Sequence, residues 1–269
     1  MLGTLCVHEI KGLWKKAVLL LAVMIAAGLG GMGASMAAQQ ASELTYWGDF
    51  FAGPEASLVM LSLFLAFVVW ASLVAMFLLI VMRFYRTMFT DEGYLALTLP
   101  VRAGQLVAAK YLVALVVMVV FSLVAVGLAG GMMMVSAEGD PDVFIAILSL
   151  MSGMFGVVHD FNAVAAVVGL VNVLIGAAYQ LALAFMALAL GAWWARRHKV
   201  AAAVGLFLGI GWLVSLVFSM GSFAAVFGGT DGMAFAASLS LMQMVVNAAL
   251  AVGAVLLTAF VVKNKIDLS

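Results

Sequence analysis

The chain has 269 residues, of which 67% are hydrophobic and 9% are charged, and its formal net charge is zero. Soluble domains are usually about 45–50% apolar and about 25% charged. A water-soluble core of this size cannot bury so much apolar surface, so the composition excludes an ordinary soluble protein and predicts an integral membrane protein. The one cysteine, Cys6, excludes an intrachain disulfide framework.

Residues 1–16 combine apolar side chains with Glu9, Lys15 and Lys16. This pattern predicts a short amphipathic helix on the inner membrane surface, with Trp14 at headgroup level; a simple flanking anchor is the alternative. The apolar run 17–38 predicts the first transmembrane helix. It also resembles a signal peptide, but it is longer than the roughly 7–15 apolar residues of such peptides, which favours a retained helix.

Further apolar stretches follow, each near or above the roughly 20 residues that a spanning helix needs. None of them contains Lys, Arg, Asp or Glu. The sequence therefore predicts an all-α integral membrane protein with six transmembrane helices in a single transmembrane domain, residues 1–269. The spans after the first are predicted at residues 57–82, 111–135, 162–192, 200–219 and 242–262.

The positions of the basic residues predict the orientation. All 12 Lys and Arg residues precede the first span, lie between the second and third or the fourth and fifth spans, or follow the sixth. The alternate loops carry acidic residues and no basic ones. Because cytoplasmic loops are enriched in Lys and Arg, the N and C termini are predicted to be cytoplasmic.

The segment 136–161 is predicted to lie outside. Its apolar part, Val143–Val158, could be mistaken for a seventh span, but a crossing there would reverse the orientation of every later basic residue. We interpret it as an interfacial or re-entrant segment. His159 and Asp160 follow it and lack a nucleophile partner, so they are interpreted as a solvated pair.

No sequence motif indicates chemistry within this chain. There is no G-x-x-x-x-G-K-[ST] run, H-E-x-x-H run or paired-cysteine site, so we predict no ATPase activity, cofactor or metal here. Uncharged polar side chains do occur within the spans, where they would form interhelical hydrogen bonds or contact a substrate. The four main ones are Asn172, Gln180, Gln243 and Asn247.

The loop 83–110 is the longest one predicted to face the cytoplasm. Thr90 is a favourable N-cap, and Asp91 and Glu92 suit the positive end of a helix dipole. Pro100 would end that helix, since the residue before a proline avoids the helical region. The sequence thus predicts a short helix at Asp91–Leu99, which would dock on a partner or lie on the membrane surface.

The same loop resembles a known family. The run Phe84–Val101, F-Y-x-x-x-F-T-D-E-G-Y-L-x-x-T-L-P-V, with Gln105, Leu106 and Lys110 after it, is similar to the region between the second and third spans of bacterial ABC-2 type permeases. These are the membrane subunits of ATP-driven exporters. Ala109 departs from the pattern, which would place a serine there. Outside this loop the likeness is limited to the overall architecture, namely six spans with both termini predicted inside.

The resemblance implies a role and partners. The helix Asp91–Leu99 would be a coupling helix seated in a dimer of separate ATP-binding subunits. A second permease chain, identical or related, would complete the transporter in the bacterial cell membrane, among membrane lipids and without nucleic acid. The residues it assigns to ATPase coupling are Asp91, Glu92, Gly93, Tyr94, Leu95, Leu97, Leu99 and Pro100.

The implied function is export of a hydrophobic or amphipathic substrate by alternating access. The alternatives are a secondary carrier or channel, and a non-transporting membrane scaffold, sensor or enzyme. Ion-coupled carriers usually place ionisable groups at membrane depth, and the predicted spans contain none.

Overall fold

The computed structural model describes residues 2–42, 54–89, 103–136, 163–195, 198–227 and 229–264. Each helix in these ranges contains a stretch long and apolar enough to cross a membrane, which confirms the all-helical membrane class and six candidate spans. The helices are α1 (Leu2–Ser42), α2 (Pro54–Phe89), α3 (Ala103–Ser136), α4 (Ala163–Trp194), α5 (Lys199–Phe227) and α6 (Gly229–Asn264).

Several helices extend beyond the predicted spans, because a transmembrane helix can continue past the hydrocarbon layer of the bilayer. Helix α2 continues from the predicted limit at 82 to Phe89, and α3 begins at Ala103 rather than at 111. Helices α5 and α6 likewise take in most of residues 220–241, which were expected to form a loop. The predicted coupling helix Asp91–Leu99, Pro100, and the segment 143–160 lie outside the described residues.

Residues 2–16 do not form a separate helix. Helix α1 runs unbroken from Leu2 to Ser42, and at about 1.5 Å per residue its 41 residues span about 60 Å, twice the roughly 30 Å hydrocarbon layer. No proline occurs in α1, and residues 13–20 contain neither proline nor glycine, so nothing in the sequence breaks the helix there.

Helices α1 and α3 run parallel to each other. Near their N-terminal ends Glu9 contacts Lys110, and near their C-terminal ends the Gln39 side-chain amide donates a hydrogen bond to the Val135 carbonyl. Between these points Met32 of α1 covers Gly131 of α3, and Met132 covers Gly31 in return. Both glycines leave room for the methionine of the opposite helix, so the two helices interlock.

The neighbouring pairs α1–α2 and α4–α5 are antiparallel, since residue numbers rise along one helix as they fall along the other. In the pair α1–α2, Glu9 contacts Arg83 and Gly31 lies near Leu65. In the pair α4–α5, Gly191 lies against Ala203 and Leu183 lies near Gly211.

Helices α4 and α6 run in the same direction. A smaller apolar cluster joins earlier residues of both helices, and the main core cluster joins later residues of both. In the smaller cluster they are Tyr179, Ala182, Leu183, Ala251 and Ala254, and in the main cluster Phe185, Leu188, Ala189, Val261 and Val262.

This alternation brings the basic side chains of the described helices to one end of the bundle, which we call the basic end. It comprises the start of α1, the end of α2, the start of α3, the start of α5 and the end of α6. The basic side chains there are Lys11, Lys15, Lys16, Arg83, Arg86, Lys110 and Lys263.

Helix α4 is the centre of the bundle, and α5 lies at its edge. In α4, 56% of the most apolar 18-residue stretch is buried, against 6% in α5. Large apolar side chains of α5, such as Leu208, Trp212 and Val217, are exposed. Lipid chains would solvate this face, since an apolar surface of this extent is not stable in water.

The close approach of α4 and α5 gives the first prediction. A Cβ atom at Gly191 would lie 2.8 Å from the backbone nitrogen of Ala203 and 2.9 Å from its Cα. Gly191→Ala should therefore force the helices apart and destabilise the detergent-solubilised protein by about 1–3 kcal/mol, measured by thermal unfolding. Gly253→Ala is the control, because no atom lies within 4 Å of a Cβ there. Equal melting temperatures for the two variants would contradict this packing.

Candidate functional site

Three helices contribute charged side chains to one site near the basic end. Glu9 comes from α1, Arg83 and Thr87 from α2, and Lys110 from α3. Arg83 and Thr87 share a helix face because they are four residues apart. We call these four residues the ionic cluster.

The Glu9 carboxylate is shared between two cations. Arg83 Nε donates to Glu9 Oε2 at 3.1 Å, and Lys110 Nζ donates to Glu9 Oε1. Lys110 Nζ also donates to Thr87 Oγ1 at 3.0 Å, while that hydroxyl donates to the Arg83 carbonyl at 2.9 Å. Each carboxylate oxygen therefore has its own charged donor, and the three helices are joined directly.

The ionic cluster is largely shielded from solvent. The Lys110 side chain is 8% exposed, that of Glu9 16% and that of Arg83 28%. Charges in such surroundings must be paired, because an unpaired buried ion loses its hydration without compensation. The cluster carries one negative and two positive charges. A cavity of about 20 Å³ lies among these side chains, enough for about one water molecule.

Gly12 provides the space for the Arg83 side chain. A Cβ atom at this position of α1 would collide with the Arg83 guanidinium. The missing side chain lets the guanidinium lie directly against α1, one turn beyond Glu9. The geometry of the ion pair therefore depends on a glycine as well as on the charges.

The residues that follow the two cations in sequence attach α2 and α3 to α4. Phe84, next to Arg83, stacks on Phe185 with ring centroids 3.8 Å apart and planes within 5°. Tyr111, next to Lys110, donates its hydroxyl to the Ala178 carbonyl at 2.9 Å and meets Phe185 edge-on at 6.2 Å. Phe185 is 2% exposed, so these contacts are part of the core.

The ionic cluster brackets the segment that resembles the permease loop. Arg83 and Thr87 lie in the last two turns of α2, which ends at Phe89, and Lys110 lies in the second turn of α3, which begins at Ala103. The segment 90–102 joins these helices. Its predicted coupling residues, from Asp91 to Pro100, are outside the described part of the chain.

The four polar residues predicted to lie within the membrane differ in how deeply their side chains are buried. Asn172 and Asn247 are 1% and 6% exposed, whereas Gln180 is exposed on α4 and Gln243 is partly buried on α6. Asn247 Oδ1 is buried and has no hydrogen-bond partner among the described residues, and the hydroxyl of buried Tyr179 is in the same condition.

The ionic cluster was not predicted from the sequence. The predicted surface helix contains Glu9, and the predicted loop contains Arg83 and Lys110. Glu9 was a signal in the sequence for such an ion pair, because it is the one acidic residue among the lysines of residues 1–16. In the described ranges, no group of three or more His, Cys, Asp or Glu side chains could hold a metal ion.

No family model, no curated protein and no solved structure matches this chain.

The ionic cluster gives the second prediction. Glu9→Gln leaves Lys110 and Arg83 without their counterion, so it should destabilise the protein by about 3–5 kcal/mol in a thermal or denaturant unfolding measurement. Adding Lys110→Met should recover part of this loss, because the buried lysine charge is then gone.

Lys11→Met is the matched control for the lysine change, since Lys11 is exposed on α1. It should alter stability by less than about 0.5 kcal/mol. If Glu9→Gln changed the free energy of unfolding as little as this control does, the ionic cluster would not stabilise the fold.

Proposed function

We propose that this chain is the membrane-spanning permease subunit of an ATP-driven exporter, powered by separate ATP-binding subunits. The observation that carries the proposal is the position of the ionic cluster. The cluster fixes the end of α2 and the start of α3, which the segment 90–102 connects. That segment carries the permease-like sequence.

The contacts around the ionic cluster supply a path for force. A push on the segment 90–102 acts on the end of α2 and the start of α3. Glu9 transmits it to α1, and the Phe84–Phe185 stack and the Tyr111 hydrogen bond transmit it to α4. Coupling of this kind travels through contiguous packed and hydrogen-bonded groups. Four helices would move together, as switching between inward- and outward-facing states requires.

The proposed orientation follows from the basic end. Lys and Arg are enriched on the cytoplasmic side, so we place this end in the cytoplasm, where ATP-binding subunits reside. The segment 90–102 would then face the partner, with Asp91–Leu99 as its coupling helix. Two permease chains and two ATP-binding chains in a bacterial cell membrane complete the proposed unit.

The absence of charge from the predicted spans supports a hydrophobic or amphipathic substrate. None of these spans contains Lys, Arg, Asp or Glu, so they offer no charge to a polar solute. A secondary carrier remains the alternative to test, because the ionic cluster brings ionisable groups close to the membrane. Transport that continues without any ATPase and collapses with an ionophore would favour the carrier.

The direct test is co-purification of the chain with the ATP-binding subunit encoded beside it. Glu92→Arg or Tyr94→Ala should weaken the complex about tenfold or more, as expected for a central contact residue. Glu55→Arg is the matched control, since it makes the same charge change in the first turn of α2, at the opposite end of that helix. Unchanged co-purification in both test variants would refute the coupling assignment.

Transmission of force gives a separate prediction. Phe185→Leu removes the stack on Phe84 but keeps an apolar side chain, at a cost of about 1.5 kcal/mol or less in stability. The variant should bind the ATP-binding subunit normally, while transport per ATP hydrolysed falls severalfold in proteoliposomes. Phe64→Leu, at a residue 61% exposed, should leave both measurements unchanged. An equal effect of the two substitutions would contradict the proposed path.

A further inference from the structure

Two unpartnered polar atoms lie buried where α4 meets α6. Tyr179 of α4 is 5% exposed and Asn247 of α6 is 6% exposed. Neither the Tyr179 hydroxyl nor Asn247 Oδ1 has a hydrogen-bond partner among the described residues. Buried polar groups are rarely left in this state, because each forfeits its hydration.

Both side chains lie within about one helical turn of each other along the bundle. Tyr179 precedes Leu183 by four residues on α4, and Asn247 precedes Ala251 by four residues on α6. Leu183 and Ala251 belong to the same apolar cluster. Tyr179 is itself a member of this cluster, and Asn247 lies one turn, about 6 Å, before Ala251 on the parallel helix, so both side chains lie at the same end of the cluster.

Both side chains also belong to the faces that pack together. Tyr179 is one turn from Ala182 and Leu183, and Asn247 is one turn from Ala251, so each shares its helix face with cluster members. The two orphaned atoms therefore border one apolar cluster.

The two groups have complementary chemistry. A tyrosine hydroxyl can donate a hydrogen bond, and Asn Oδ1 can only accept one. A secondary amide presents an acceptor C=O beside a donor N–H, so it can satisfy both atoms at once. A hydrocarbon satisfies neither, and an ester satisfies only the tyrosine.

We propose that Tyr179 and Asn247 form a binding site for an amide group on an otherwise apolar molecule, between α4 and α6. The inference rests on the proposed function, for which it names the substrate class. The contact around the site is built largely from alanines, Ala182, Ala251 and Ala254, which do not interlock as large side chains do. Sliding of α4 against α6 can therefore open it, as in shear motions of packed helices.

The test uses two small probes and the purified full chain, without an ATPase. N-octylacetamide carries N–H and C=O, and octyl acetate has the same length but no donor. Thermal unfolding is followed while each probe is titrated. The amide should stabilise the wild-type chain saturably, with half-saturation about tenfold below that of the ester, the value of one good hydrogen bond.

The variants assign the effect to the site. Asn247→Leu should abolish the difference between the two probes, and Tyr179→Phe should weaken both probes equally, since both carry the carbonyl. Gln40→Leu is the matched control, because Gln40 is an exposed amide on α1 and should leave the difference intact. Equal or non-saturating shifts with both probes would overturn the site, as would a difference that survives Asn247→Leu.

A second measurement needs no probe. Because the two atoms lack partners, Tyr179→Phe and Asn247→Leu should each leave the melting temperature unchanged or raise it by about 2–4 °C. A clear fall in both variants would show that the atoms are satisfied in the free protein, and the site would be refuted. Neither measurement involves ATP, so failure here leaves the co-purification test of the proposed function standing.

Discussion

The Glu9 carboxylate binds a cation from each of two other helices, and this shared ion pair organises the basic end of the bundle. Arg83 and Lys110 lie 74 and 101 residues away in the sequence, yet both donate to the same carboxylate. Removing the carboxylate would leave the two cations buried without a counterion, and removing both cations would leave the carboxylate in the same state. The pairing therefore fixes α1, α2 and α3 relative to one another at the point where the segment 90–102 leaves the bundle.

The remaining packing extends this fixed point into the membrane. Phe84 and Tyr111 follow the two cations in sequence, and both reach Phe185 on α4. Helix α4 in turn contacts α5 at Gly191 and α6 through the smaller apolar cluster. Helices α1–α4 are joined by these contacts, whereas α5 lies at the edge of the bundle, an arrangement that would suit the proposed transmission of a push.

Much of the fold could be predicted from the sequence, because lipid leaves few alternatives for long apolar runs. The described residues contain six candidate spans, the number that the sequence predicted. The helix ends were harder to predict, since hydropathy marks where lipid ends and α2 continues to Phe89 beyond it. The pairing of Glu9 and the isolation of Asn247 Oδ1 depend on which helix faces meet. Local spacing in a single sequence does not encode this information, so both were missed.

The proposed cytoplasmic location of the segment 90–102, where an ATP-binding subunit could reach it, is tested most directly by a single-cysteine variant. Tyr94→Cys in a Cys6→Ala background supplies the one thiol. The chain is expressed alone and treated with a membrane-impermeant maleimide. We expect labelling in inverted membrane vesicles and none in intact cells. Labelling of intact cells would place the segment outside and would refute the proposed orientation.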